Sequence, residues 1–258
     1  MVGATAVAAP GRVEQKREAR TSAILDEAMA ILAAEGLEAL TLGRLARALD
    51  YVPAALYRYF DSKDALLAAL QRRAVTTIHR GLREAERANE EVAAGASPGV
   101  AILAKLLGSA RFYLGLPRTD PEAAFLVALL MGDPRPLLSD EESRRTAPLL
   151  LGLLGDVEAM FRTAEGCDVL SKGDSVVRTL AFWAALSGAL SLEKARRIAP
   201  ALPSTEQIGG AAVKALLMGW GAASSDVERA ARLIANETTE GKSKSAGSRK
   251  RSSKKARS

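Results

Sequence analysis

The sequence predicts an all-α protein. Apolar residues recur with helical spacing along most of the chain, alanine and leucine are abundant, and runs of β-branched residues are scarce. No segment shows the strict alternation of apolar and polar residues that marks a half-buried strand. With 258 residues the chain can bury a sizeable core. We expect an N-terminal three-helix domain containing a helix-turn-helix, followed by a larger helical domain.

Two short helical patterns separated by a brief break stand at residues 41–60. The first pattern has one apolar stripe at i, i+3, i+4 and i+7, formed by Leu42, Leu45, Ala46 and Leu49. Thr41 precedes it as an N-cap, and residues 50–52 form the break. Pro53 suits the first turn of the second helix, because its φ is fixed and it has no N–H to satisfy. We expect this second helix to span residues 53–59.

Longer helices are predicted on both sides of this motif. Helix 1 should cover about 13–35 and end at Gly36, a left-handed C-cap, while residues 61–62 should cap a long helix over about 63–92. A loop rich in Ala, Gly, Ser and Pro follows. Further helical segments are expected at about 99–115, 120–132, 141–166, 172–194, 204–220 and 225–236. Pro117 and a linker at 200–203 are among the predicted helix breakers.

A set of spaced residues around the two short helices carries a family resemblance. These residues are Arg20, Ile24, Leu25, Ala28, Glu35, Gly36, Leu40, Thr41, Leu45, Ala46, Leu49, Leu56, Tyr57, Arg58, Tyr59, Phe60, Ser62, Lys63, Leu66 and Leu67. With them, residues 17–70 resemble the DNA-binding domain of the tetracycline-repressor (TetR) family of bacterial transcription regulators. The resemblance implies a homodimeric regulator that binds a double-stranded operator.

The resemblance also implies which side chains face DNA. It assigns base or phosphate contacts to Thr41, Arg44, Pro53, Ala54, Tyr57, Arg58 and Lys63. Arg58 is the one residue of the second helix able to form a bidentate contact with guanine. Three positions depart from the family pattern, since Gly43 and Ala54 offer little polar readout and Asp50 stands where the turn usually has glycine. Asp50 tolerates the left-handed conformation better than most residues, so we expect the turn to form.

The remaining helices should form an effector and dimerisation domain. Residues 181–193 resemble the penultimate helix of many family members, which with residues 207–219 implies a four-helix bundle across a two-fold axis. The expected interface residues are Ala184, Gly188, Leu192, Ala212 and Leu216.

The family places a ligand pocket among the middle helices of this domain. Candidate lining residues are Phe112, Tyr113, Phe125, Met131, Met160, Phe161 and Trp183. Each of them alone is also explained by core packing. Together they predict an apolar cavity with a few polar groups, which suits a small hydrophobic or amphipathic effector.

The net charge of +6 does not come from the predicted DNA-binding domain. Residues 236–258 contain eight basic and two acidic side chains, a surplus that equals the net charge of the whole chain. This tail lacks large aliphatic residues, so we expect it to be disordered. It is either a solubilising tail or a nonspecific tether for polyanions.

The composition excludes several other functions. A single cysteine and a single histidine leave no disulfide, zinc cluster or nucleophile triad, and we expect no enzyme, metal or cofactor. We see no signal peptide or membrane span, and expect a cytoplasmic protein. The predicted organisation is a disordered 1–10, a DNA-binding domain at 11–63, an effector domain at 64–236 and a disordered tail at 237–258.

Three functions remain in view, and one of them, a purely structural helical protein, would not bind DNA at all. Of the other two, the first is a ligand-responsive repressor that binds a palindromic operator as a dimer. The second is a ligand-independent architectural protein that binds DNA through its N-terminal domain and basic tail. Dependence of binding on sequence and on salt discriminates between these two.

Overall fold

The computed structural model describes residues 11–132 and 137–235, and every regular element in these ranges is a helix. The helices are α1 (Arg12–Glu35), α2 (Leu42–Ala48), α3 (Pro53–Leu56), α4 (Lys63–Val92), α5 (Pro98–Thr119), α6 (Pro121–Gly132), α7 (Asp140–Gly166), α8 (Ser175–Ser191), α9 (Glu193–Ile198), α10 (Thr205–Gly219) and α11 (224–235). The predicted all-α fold class is confirmed. The predicted disordered N-terminus and basic tail lie outside the described residues.

The chain divides into two compact units. Within the described ranges, the first unit contains residues 11–74 and 137–147, and the second contains 75–132 and 148–235. Two helices contribute residues to both units, α4 through 63–74 and 75–92, and α7 through 140–147 and 148–166.

The first unit has a small apolar core. It is built from almost fully buried side chains of α1 to α4 and of the connection between α1 and α2: Ile24, Ala28, Leu32, Leu40, Leu45, Leu56 and Leu66. The end of α1 needs glycine, because Gly36 has a φ of 85° and a ψ of 177°. The predicted left-handed C-cap is therefore replaced by an extended conformation with positive φ, and the Gly36 N–H still donates to the carbonyl of Leu32 at 3.0 Å.

Hydrogen bonds and an ion pair hold the first turns of α7 within the first unit. The backbone N–H of Ser139 lies 3.1 Å from both carboxylate oxygens of Asp64. Arg72 Nη1 lies 2.9 Å from an oxygen of Glu142, whose side chain is largely buried. A buried carboxylate needs such a charged partner, so Arg72 fixes the part of α7 that belongs to this unit.

The second unit is built around α5. Twelve residues of α5 are buried, and they include Val100, Leu103, Leu106, Ala110 and Leu114. By length and composition α5 could cross a membrane, but 67% of its most apolar window is buried within the fold. That degree of burial is expected of the core helix of a globular unit.

An aromatic cluster packs between α7, α8 and the end of α10. The ring of Phe161 meets those of Phe182 and Trp220 edge to face, with centroids 5.6 and 5.4 Å apart. The guanidinium of Arg178 lies 5.6 Å from the centroid of Trp220 and pairs with Glu165 at 2.6 Å. The cluster therefore satisfies a buried cation while filling the core.

Gly209 marks the closest packing of α10 in the second unit. A Cβ added at Gly209 would stand 2.7 Å from both terminal methyls of Leu114 and 3.2 Å from Ala189 Cβ, whereas a Cβ at Gly210 would meet no atom within 4 Å. We expect Gly209→Ala to cost about 1–3 kcal/mol through overpacking. Gly210→Ala should instead stabilise by about 0.5–1 kcal/mol, because it only reduces backbone entropy. Chemical unfolding of the two variants checks this, and equal stabilities would contradict the packing argument.

Three predicted helix boundaries differ in the structure. Pro117 lies inside α5, which continues to Thr119. The predicted segment 172–194 is divided into α8 and α9. The second helix of the helix-turn-helix ends at Leu56 instead of Tyr59, where the N–H groups of residues 59 and 60 both donate to the Leu56 carbonyl. This tight turn places Leu56 and Phe60 together in the core.

Candidate nucleic-acid interface and ligand cavity

The start of α2 is held by Thr41. Its Oγ1 accepts a hydrogen bond from the backbone N–H of Arg44 at 3.1 Å, as an N-cap residue does. The guanidinium of Arg44 pairs with Glu35 at 2.7 Å. Thr41 stays exposed, while Arg44 is partly covered. The N-cap bond and the ion pair thus fix the positions of both predicted contact residues in the first unit.

The turn between α2 and α3 depends on Asp50. Its φ of 53° lies in the left-handed region, in the conformation that the sequence predicts for this position. The following N–H, from Tyr51, donates to the carbonyl of Ala46 at 2.9 Å. Val52 is extended, and Pro53 occupies the first turn of α3. An aspartate therefore closes a turn that usually requires glycine.

The outward surface of α3 and its flanking turns carries the candidate reading residues. Pro53, Ala54 and Arg58 are exposed, and the side chain of Tyr57 is 55% exposed. Sequence reasoning did not include Val52, which is 69% exposed immediately before α3. A large apolar side chain in a predicted break is the signal that could have identified it. The surface combines apolar contact area with the guanidinium of Arg58 and the phenols of Tyr57 and Tyr51, of which Tyr51 is 39% exposed.

Lys63 opens α4 beside this surface. Its Nζ donates to the carbonyl of Leu37 at 2.6 Å, and the side chain is partly buried. The N-terminus of α4 is capped by Ser62, whose Oγ accepts from the N–H of Ala65 at 3.0 Å. An ammonium group has three donors, so Lys63 retains two for a phosphate oxygen.

The first turns of α1 are fully exposed and basic on one side. Residues 11–20 are all exposed, and Arg12, Lys16 and Arg20 follow one another at spacings of four. Side chains four residues apart share a helix face, so these three cations lie along one stripe. Such a stripe attracts the phosphate backbone without reading bases.

A cavity of about 70 Å³ lies inside the second unit. Side chains of α4 to α8 line it: Val75, Ile78, Leu82, Ser109, Phe112, Tyr113, Val127, Leu150, Leu153, Leu154, Val157, Thr179, Phe182, Trp183 and Leu186. Eleven of these residues are aliphatic or phenylalanine, so the wall is almost entirely apolar. Its polar groups are two hydroxyls, one phenol and one indole N–H.

These polar groups are already hydrogen-bonded to the protein. Trp183 Nε1 donates to the hydroxyl of Tyr113 at 3.3 Å, and that hydroxyl lies 3.0 Å from Ser187 Oγ. Burial raises the pKa of Tyr113, and the hydrogen bonds with Ser187 and Trp183 offset this only in part. The hydroxyls of Ser109 and Thr179 donate to carbonyls of their own helices. The wall thus presents a neutral phenol and acceptor oxygens.

The predicted lining residues fall in different places. Phe112, Tyr113 and Trp183 line the cavity. Met160 and Phe161 are buried in the surrounding core, while Phe125 is 38% exposed. The side chain of Met131 lies outside the described residues. Sequence reasoning followed the aromatic residues and missed the aliphatic wall from α4 and α7, although the apolar stripe at Val75, Ile78 and Leu82 was visible in the sequence.

An apolar surface runs along α8 and α10. On α8, Ala184 and Gly188 are exposed and Leu192 is 42% exposed at its end. Ala212 and Leu216 line a groove together with the ring of Trp220 and four small residues, Ala181, Ala185, Ala215 and Gly219. Leu180 of α8 is a further exposed apolar side chain, at 45%. Small residues along such a surface allow another helix to approach closely.

Among the described residues, no group of three or more His, Cys, Asp or Glu side chains could hold a metal ion.

Comparisons with known proteins agree with this geometry. The family profile described as "Bacterial regulatory proteins, tetR family" matches residues 24–70. No curated protein matches the chain. A solved structure described as "putative regulatory protein SCO4313" is 27% identical with a TM-score of 0.54, and the match covers 81% of this chain and 99% of that one.

Two further solved structures share the fold. PfmR, a TetR family transcriptional regulator from Thermus thermophilus, is 22% identical with a TM-score of 0.52, covering 76% of this chain and 97% of its own. AibR, solved in complex with isovaleryl coenzyme A and operator DNA, is 17% identical with a TM-score of 0.58, covering 77% and 98%. Residues 24–70 thus match the DNA-binding domain of the tetR family, and the chain shares the fold of solved TetR family transcriptional regulators.

Proposed function

We propose that this protein is a repressor that binds a palindromic operator as a homodimer and is released by a small hydrophobic effector. The observation that carries the proposal is the outward placement of Tyr57 and Arg58 behind the turn closed by Asp50. Arg58 would contact guanine, while Tyr57 and Lys63 would contact phosphates. Thr41, Arg44, Pro53 and Ala54 would complete the contact surface.

The apolar surface of α8 and α10 supports the proposed dimer. Ala184, Gly188, Leu192, Ala212 and Leu216 would pack against the same residues of a second copy, which makes a two-fold interface. Two copies are also needed to occupy both halves of a palindrome, whose centres lie about 34 Å apart, one helical turn of DNA.

The cavity in the second unit supports the proposed effector. An apolar wall with few polar groups suits a small hydrophobic molecule. AibR, which shares the fold, was solved with both a ligand and operator DNA. In this chain α4 runs continuously from Lys63 to Val92 and lines the cavity with Ile78 and Leu82. An effector would switch DNA binding only if it bound the released state more tightly than the DNA-bound state.

A panel of lipophilic compounds tests the effector site. We expect some member to raise Tm by about 3–6 °C at a hundredfold excess over Kd and to release bound operator. Leu154→Phe fills the cavity and should abolish this shift, whereas Leu151→Phe, on the exposed side of α7, should leave it intact. If no compound stabilises the protein or releases DNA, the proposed effector response is wrong.

The architectural alternative rests on the basic tail, which lies outside the described residues. It predicts binding that grows with DNA length, ignores sequence and fades steeply with salt. The repressor predicts one sharp site that survives an excess of unrelated DNA. Electrophoretic shifts at two salt concentrations, with and without residues 237–258, separate the two. In either case we expect a cytoplasmic protein that is associated with the nucleoid when bound.

A further inference from the structure

A basic groove of about 290 Å³ lies along α4 in the second unit, beside the face of α4 that lines the cavity. Its walls are the side chains of Thr76, His79, Arg80, Arg83, Glu84 and Arg87. Three arginines and one histidine thus occupy little more than two turns of one helix, with Glu84 as the acidic residue among the lining. Their mutual repulsion favours an anion between them.

The groove adjoins the cavity along the helix surface. Ile78 and Leu82 line the cavity, and His79 and Arg83 are the next residues along α4, displaced by about 100° around its axis. On α7, Asp156 likewise directly precedes a residue that lines the cavity, Val157. The polar residues therefore follow the edge of the apolar wall.

An ion-pair cluster occupies this edge. His79 Nε2 lies 2.6 Å from Asp156 Oδ2, and Arg83 Nη2 lies 2.9 Å from the same oxygen. The α7 residue facing the ring edge is Gly152, which has no side chain to cover it, and a Cβ there would stand 3.9 Å from His79 Cε1. The cluster is partly open, with side-chain exposures of 25% for His79 and 27% for Asp156.

The close contacts of His79 in this cluster cannot all be hydrogen bonds at once. Arg83 Nε lies 3.2 Å from His79 Nε2, the nitrogen that also faces Asp156. One ring nitrogen cannot donate to Asp156 and accept from Arg83 at the same time, so one of these contacts lacks its hydrogen bond. In the part of the chain that the structure describes, the side chains of Arg80 and Arg87 form no hydrogen bond or ion pair. Asp156 is thus shared by His79 and Arg83, while Arg80 has no carboxylate partner among the described residues.

We infer that the effector is an amphipathic anion, whose apolar part occupies the cavity and whose carboxylate or phosphate lies in the groove of α4. The inference rests on the proposed effector function and specifies its ligand class. The anionic group would accept from Arg83 Nε and from Arg80. It would compete with Asp156 for His79 and Arg83. Ligand binding would therefore replace contacts between α4 and Asp156 of α7 with contacts between α4 and the ligand.

Matched ligands with one six-carbon chain test the inference. Heptanoate, hexyl phosphate and 1-hexanol share a hexyl chain and differ only in the polar group. We expect one or both anions to bind the full chain about tenfold more tightly than the alcohol in calorimetric titration. The relative affinities of the two anions identify whether a carboxylate or a phosphate is preferred.

Three variants locate the anionic group. Arg83→Gln should remove the preference for anions, and Arg83→Lys should restore most of it in an equally folded protein. Asp156→Asn removes the competing carboxylate and should tighten anion binding severalfold without changing alcohol binding. Arg229→Gln, exposed on α11, is the matched control and should change nothing.

Each outcome decides a different point. Equal affinities of the alcohol and both anions would overturn the inference and leave the effector cavity standing. An anion preference that survives Arg83→Gln would also overturn it, because the charge would then be bound elsewhere. If none of the three ligands binds while other compounds do stabilise the protein, the inference fails alone. If nothing binds at all, the proposed effector function fails with it.

Discussion

Arg58→Ala is expected to weaken operator binding by about 10- to 100-fold, because a bidentate contact with guanine contributes about 1–3 kcal/mol of discrimination. The same change should relax sequence preference at one position of each half-site. Arg58 is exposed and forms no ion pair within the described residues, so its loss should leave stability unchanged. Fluorescence anisotropy with a set of single-base operator variants measures both effects.

Lys63, a predicted phosphate contact, provides the comparison with Arg58. Lys63→Ala should weaken binding to all sequences alike and reduce the salt dependence of binding, because a phosphate contact carries no base information. Arg229→Ala on α11 should do neither. If Arg58→Ala lowered affinity equally for every DNA sequence, the assignment of Arg58 to base readout would be wrong.

Ala184→Glu is expected to convert the proposed dimer into a monomer and thereby abolish specific DNA binding. A two-fold interface would bury this carboxylate twice, close to its own symmetry copy, and an uncompensated buried charge costs about 3–5 kcal/mol. Ala184 is exposed on the described chain, so folding of the single copy should be unaffected. Sedimentation velocity measures the change in mass, and circular dichroism verifies the fold.

The control for this interface is an alanine on another helix. Ala159 is exposed on α7, and Ala159→Glu should leave the proposed dimer and its operator affinity unchanged. A dimeric Ala184→Glu protein with normal affinity would show that copies of the chain associate through a different surface. Loss of dimerisation with full operator affinity would contradict the proposed link between the two.

Local backbone features could be predicted from the sequence because their causes are local. Thr41 caps α2, Pro53 begins α3 and Asp50 takes the left-handed conformation, each for reasons found within a few residues. The bounds of α1 and α4 followed in the same way from the apolar stripe and from caps such as Ser62. Family resemblance added the roles of the exposed side chains, which spacing alone does not provide.

Features that depend on distant contacts could not be predicted. Phe161 and Trp183 are both aromatic and both in the second unit, yet Trp183 lines the cavity while Phe161 packs against Phe182 and Trp220. Only the packing of α7 against α8 and α10 decides between these roles. The early end of α3 at Leu56 has a similar origin, since burial of Phe60 tightens the turn that follows.

Individual charged residues indicate the DNA-binding surface better than the net charge of the chain does. The net charge of +6 reflects the tail, so it says little about the DNA-binding surface. We expect the surface to rely instead on Arg58, Lys63 and the stripe at Arg12, Lys16 and Arg20. With Ala54 and Gly43 contributing little polar readout, half-site spacing and DNA shape should carry much of the specificity.

Selection of bound DNA from a random library by the purified full-length protein tests the central claim most directly. The repressor account predicts enrichment of one inverted repeat, with half-sites about 10 base pairs apart centre to centre or a multiple of that distance. It also predicts that enrichment persists after residues 237–258 are removed and collapses in Arg58→Ala. The account would be contradicted if the selected DNA shared no motif, if the amount of DNA bound grew with its length, and if binding were lost as salt rises.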